Sequence, residues 1–137
     1  MELGLRLGHG GHMTSQTDDV LDMHVFEELL ATLGNDTGRV RNVYRKFVES
    51  AAARLEEVRH QSVTDSAATF HALKGSASMV GAQRLAAIAA RLQDAAPRLD
   101  NETKVAGIGE LEAELATFRQ VLSARLDALP PDRKSVV

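Results

Sequence analysis

The chain of 137 residues contains no cysteine. That excludes a disulfide framework and any thiolate nucleophile or ligand, and it fits a reducing compartment, so the expected location is cytoplasmic. An excess of either charge is also missing. Sixteen Lys and Arg stand against nineteen Asp and Glu, for a formal net charge of -3 with the signs interspersed. Nothing resembles the basic footprint of a nucleic-acid binder, and no nucleic-acid partner is expected. No apolar run approaches the roughly 20 residues that a membrane-spanning helix needs, so no direct membrane contact is expected either. Segments of alternating, β-branched character are lacking, which argues against strands.

What is present is enough apolar character, 44% of residues, to bury one core. The opening "MELGLRLGHGGH" runs into Met13 without caps or helical periodicity, and residues 1–13 are read as an expression leader. His9 and His12 stand three apart there, but in so Gly-rich a stretch they are read as cloning residue rather than a metal site. "PPDRKSVV", 130–137, begins with a Pro pair that cannot continue a helix and is read as a loose tail. One domain is expected over 14–129.

Within it the spacing of apolar residues is helical throughout. Val25, Phe26, Leu29, Leu30 and Leu33 predict a short first helix stopped at Gly34. Asp36 is a candidate N-cap for a second, running to about His60 with Val40, Val43, Tyr44, Phe47, Val48, Ala51, Leu55 and Val58 inward. "SVTD", 62–65, has the form of a capping box and predicts a third helix from about Val63, with Val63, Phe70, Leu73, Ala77 and Val80 buried and a break at Gly81. A fourth runs from about Ala82 to Pro97 with Leu85, Ile88, Ala89 and Leu92 inward. A fifth carries Val105, Ile108, Leu111, Leu115, Phe118, Leu122, Leu126 and Leu129, its start blurred by Gly107 and Gly109. Four long helices with short connections predict an all-α, antiparallel four-helix bundle with a short additional N-terminal helix across one end.

Familiar catalytic patterns are absent. A di-metal bundle needs Glu-x-x-His motifs on two facing helices, a pair this sequence does not have. H-E-x-x-H, G-x-x-x-x-G-K-[ST] and G-x-S-x-G do not occur. Outside the leader the histidines are His24, His60 and His71, and the cap at Ser62 puts a turn between the last two. No metal site is expected.

His71 differs from the other two in its surroundings. At about 100° per residue, Ala67, Lys74, Gly75 and Ser78 share its side of the third helix, while Phe70, Leu73 and Ala77 point into the core. The imidazole should therefore face solvent on ground cleared of bulk, with one cation a turn away. Such an arrangement suits phosphoryl capture: an imidazole nitrogen attacks an acyl phosphate, and the Lys74 ammonium meets the phosphoryl oxygens. Glycine in a helix interior costs about 1 kcal/mol relative to alanine. Gly75 is explained either by close helix packing or by the approach of a partner. Taken singly, a rim histidine and a surface lysine are ordinary; their joint spacing is the signal.

"HALKGSA", 71–77, resembles the His-x-Leu-Lys-Gly-Ser-Ala signature of histidine-containing phosphotransfer (HPt) domains of multistep phosphorelays. "VGAQRLAAIAARLQDAA" is similar to that family's next helix, and "LLATLGNDTGRVRNVYRKFVES" to its opening segment. The resemblance implies a phosphocarrier without turnover of its own, in which His71, at Nε2, takes the group from a receiver-domain phosphoaspartate and passes it to another receiver. It implies that Lys74 stabilises the phosphoryl group, that Gly75 admits the receiver, and that Gln93 is a second stabilising residue beside the histidine. Some members have glycine where this chain has Ser78, which narrows the approach or adds a hydroxyl contact. Mg²⁺ is expected on the receiver, and no cofactor in this module. Ala67, Ser78 and Met79 are candidates for the docking rim, and Arg84 for tuning partner choice. A monomer is expected, either free-standing or excised from a hybrid sensor kinase whose parent chain can be anchored in the inner membrane. Two alternatives remain: the dimerisation and phosphoacceptor portion of a histidine kinase, and a bundle that binds receivers without accepting phosphate.

Overall fold

A computed structural model describes residues 20–130 of the chain. The leader expected over 1–13 and the tail after Pro130 lie outside the described residues. Among the described residues five α-helices follow one another: α1 (Met23–Thr32), α2 (Thr37–Val58), α3 (Val63–Met79), α4 (Gln83–Ala95) and α5 (Asn101–Asp127), with a 3-10 turn at Ala96–Arg98. Among the described residues there is no strand, and no helix is long and apolar enough to cross a membrane.

Four of these five helix starts are written in short polar side chains; α4 follows Ala82 with no side-chain cap. Asp36 accepts the Arg39 N–H at 3.1 Å, Ser62 accepts that of Asp65 at 3.1 Å, and Asp100 accepts that of Thr103 at 2.8 Å. Each satisfies a backbone donor that the first turn leaves without an intrahelical partner. Asp22 caps α1 in the same way, taking the N–H of His24 at 2.9 Å.

Helices α2 to α5 close a ring in which each packs on its sequence neighbour and α2 meets α5. The arrangement is the expected antiparallel four-helix bundle. Phe26, Tyr44, Phe47 and Phe118 form an aromatic chain through the core, with ring centroids 5.6–6.2 Å apart. Burying such a side chain contributes about 1.5–3 kcal/mol. Through Phe26, α1 lies across one end, where the Asp22 N–H donates to the Gly81 carbonyl at 2.8 Å. The buried Tyr44 hydroxyl donates to the Val80 carbonyl at 2.9 Å, closing the C-terminus of α3. Burial, with a smaller contribution from Asp22, pushes the ionisation of that phenol up, so it stays a donor.

Several side chains depart from the expected pattern. Val63 and Val105, expected inward, are 39% and 49% exposed. Val63 is the first residue of its helix and sits at the open end of the bundle. The inward stripe of α5 begins at Lys104, one residue before Val105, and that shift of about 100° turns Val105 outward. Lys104 is buried along its stem and donates from Nζ to the Gln61 carbonyl at 2.7 Å, tying α5 to the α2–α3 turn. Val20 and Leu21, before α1, are also buried.

Neither glycine of α5 interrupts it, and the two serve different ends. A Cβ on Gly107 would stand 2.6 Å from Leu92 Cδ2, so the glycine is what lets α4 approach α5. A Cβ on Gly109 would meet nothing within 4 Å. Gly109→Ala should therefore raise the thermal midpoint, by about 1 kcal/mol of stability. Gly107→Ala gains the same propensity but overpacks the core at about 1–3 kcal/mol, and should melt at or below wild type. Equal melting of the two variants would show that Leu92 yields freely.

Candidate functional site

His71 lies midway along α3, exposed, while Phe70 and Leu73 on either side of its turn are fully buried. The reversal at Val80, Gly81 and Ala82 lays α4 antiparallel beside α3. Gly81 there has φ +83°, a left-handed conformation that glycine adopts without penalty, and a Cβ would meet the Asp22 carbonyl oxygen at 3.1 Å. The antiparallel register brings Gln93 to His71: its Nε2 stands 3.1 Å from the imidazole Nδ1. Ring and amide are thus joined across two helices.

This contact has chemical content because the imidazole has two distinguishable nitrogens. A neutral ring attacks through the nitrogen that bears no proton, so attack by Nε2 needs the proton on Nδ1. A half-turn of the Gln93 amide presents its oxygen to Nδ1–H, so the same side chain can hold either tautomer. Nε2 makes no hydrogen bond to another described residue. The Gln93 contact is on Nδ1, which makes it a ring-holding group with respect to a reaction at Nε2.

Around the imidazole the small-residue surface is present. Gly75 and Ser78 are exposed, Ala67 and Lys74 half-buried. Lys74 has no ion pair or hydrogen bond among the described residues. Gly75 meets nothing within 4 Å of where its Cβ would be, so close helix packing does not explain it. Met79, two turns on from His71, is 78% exposed, an unusual position for a large apolar side chain.

Arg84 belongs elsewhere. It points across the other side of α4 to α5, where its guanidinium lies 2.9 Å from Glu114 Oε1. Arg91, two turns further, pairs with Glu110 at 2.6 Å, so two arginines and two glutamates zip the α4–α5 seam. Glu114 is a buried carboxylate whose second oxygen has no hydrogen-bond partner among the described residues. Burial pushes its ionisation up, and Arg84 pulls it partly back. The seven-residue spacing of Arg84 and Arg91 and the four-residue spacing of Glu110 and Glu114 were the signals for this seam. Among the described residues no group of three or more His, Asp or Glu side chains could hold a metal ion.

A family model described as the Hpt domain matches residues 42–128, well over half of the chain. The matched span contains α3, α4 and α5 entire and all of α2 after Arg41, and it includes His71 and Gln93; α1 lies outside it. Comparison with curated proteins gives no match, and comparison with solved structures gives none. Hpt domains are helical phosphocarrier modules, not enzymes; they take part in phosphotransfer in phosphorelay signalling and interact with receiver domains. The helical bundle and the match agree, and the chain belongs to the Hpt domain family.

Proposed function

We propose that His71 is the phosphoryl acceptor of this domain and that its Nε2 is the reacting atom. The single observation that carries this reading is the Gln93 amide on Nδ1, which holds an exposed imidazole with its other nitrogen uncommitted. In the first step the Nε2 lone pair attacks the phosphorus of an aspartyl phosphate on a receiver domain. The N–P bond forms, the bond from phosphorus to the carboxyl oxygen breaks, and the electron pair leaves with the aspartate carboxylate. Nδ1 keeps its proton, donated to the Gln93 oxygen, and this hydrogen bond supports the positive charge that the ring acquires. The second step is the reverse, onto an aspartate of another receiver.

Lys74, one helical turn away and without a carboxylate partner among the described residues, is placed to meet the phosphoryl oxygens. Mg²⁺ belongs to the receiver in this reading. Ala67, Gly75, Ser78 and Met79 form the ground on which the receiver lands, and Arg84, committed to Glu114, plays no part in it. The four long helices close their own core, and the domain acts as a monomer.

A phosphorylated receiver mixed with the wild-type chain should leave an acid-labile phosphate on it, and none on His71→Gln. Label persisting in that variant, or never appearing in wild type, would sink the assignment. In the same assay Lys74→Ala should slow transfer about tenfold, a small loss for an oxyanion partner because the site is open to water; its circular dichroism should be unchanged. Gln93→Ala should also slow transfer and, in 15N spectra, redistribute the tautomers of His71, a change that mere loosening of α4 would not produce. Gly75 separates stability from docking. Gly75→Ala should stabilise the fold by about 1 kcal/mol, whereas Gly75→Leu should abolish transfer with helix content intact. Transfer at the wild-type rate by Gly75→Leu would remove the clearance argument.

A further inference from the structure

On the side of the bundle away from His71, between the first half of α2 and the last turns of α5, runs an open groove of about 830 Å³. Its floor is apolar, made by Tyr44, Val48, Leu122 and Leu126. Guanidinium groups stand on both rims, Arg41 and Arg45 from α2 and Arg119 from α5. Two of them are engaged within the rim: Arg45 pairs with Glu49 at 3.0 Å, and Arg41 donates to the Leu126 carbonyl at 3.0 Å with Asp127 at 3.9 Å. Arg119 has no hydrogen bond or ion pair among the described residues. In the ring of helices the α2–α5 seam lies across from the α3–α4 seam that holds His71 and Gln93.

We infer that this groove docks an acidic amphipathic helix of a partner protein, and that the partner can stay bound while a receiver occupies the His71 face. The occupant is a helix because both walls are helices whose backbone groups are bonded internally, and the Leu126 carbonyl at the end of α5 is already taken by Arg41. A segment lying there finds no sheet edge to join, and a helix satisfies its own backbone internally as it lies against them. Its apolar stripe meets Val48 and Leu122, and acids flanking that stripe on both sides meet the arginines of the two rims. The chain's own residues 131–137 have the wrong sign for this role, since they carry Arg133 and Lys134 against Asp132. This inference goes beyond the phosphotransfer reading and does not depend on it.

The test titrates the full 137-residue chain with two helical peptides of about 15 residues, long enough to hold a helix, with a leucine stripe flanked by glutamates in one and by lysines in the other. The glutamate peptide should bind and move the amide signals of Val48, Gln120 and Ala124 while leaving the ring signals of His71 unchanged. Arg45→Glu combined with Arg119→Glu should weaken it about tenfold or more and let the lysine peptide bind instead. Equal binding of both peptides, no binding of the glutamate peptide, or shifts confined to α3 and α4 would overturn the proposal. So would self-association of the chain that the double variant abolishes, which would make a second copy the occupant. Tighter peptide binding after removal of residues 1–19 would assign the groove to the chain's own N-terminal segment and overturn it likewise.

Discussion

The reversal between α3 and α4 sets the register on which the His71 site rests. His71 lies nine residues before Val80 and Gln93 eleven after Ala82, so at about 1.5 Å per residue they stand roughly 14 and 17 Å from the turn. They meet only because the two helices leave that turn in phase. One residue more or less in it would rotate Gln93 by about 100° and take the amide away from Nδ1. Three contacts hold the turn: Tyr44 on the Val80 carbonyl, the Asp22 N–H on the Gly81 carbonyl, and the Gln83 side-chain amide donating to Asp22 at 3.2 Å. Asp22 also caps α1, so the short N-terminal helix, outside the span matched by the family model, helps to fix the geometry of a site more than a helix away.

Glycine appears in this fold for three separate reasons, and only the structure sorts them. Gly81 supplies a positive φ, Gly107 supplies room for Leu92, and Gly75 supplies neither. The last case is informative because a helix-interior glycine with open space above it lowers stability and returns nothing to packing. Gly109 is alike in this respect, and what sets Gly75 apart is its place one turn from an exposed histidine, where the proposed receiver would land.

The bundle also divides its surface. The α3–α4 face carries small side chains together with His71, Lys74, Gln93 and the exposed Met79. On the α4–α5 seam the charges are spent internally, with Arg84 and Arg91 committed to Glu114 and Glu110. The α2–α5 face combines an apolar floor with arginines on both rims. These assignments follow from which way each helix is turned, and a rotation of α4 by half a turn would exchange Gln93 for Arg91 at the histidine.

The sequence alone determined the helical class, the helix starts at Asp36 and Ser62, most of the core, and the face of α3 that carries His71, Lys74 and Gly75. Those are local properties: capping is decided within four residues, and one helix's apolar stripe by a period of 3.6. It misplaced Val63 and Val105 and did not foresee the burial of Lys104 and Glu114. Their environments are set by the ends and phases of neighbouring helices, which no single helix's period encodes. Only the tertiary structure decided that Gln93 rests on Nδ1, that Arg84 turns away to α5, and that Gly75 has open space above it. Each is a relation between helices, fixed by the register of the α3–α4 turn and by how closely α4 and α5 approach.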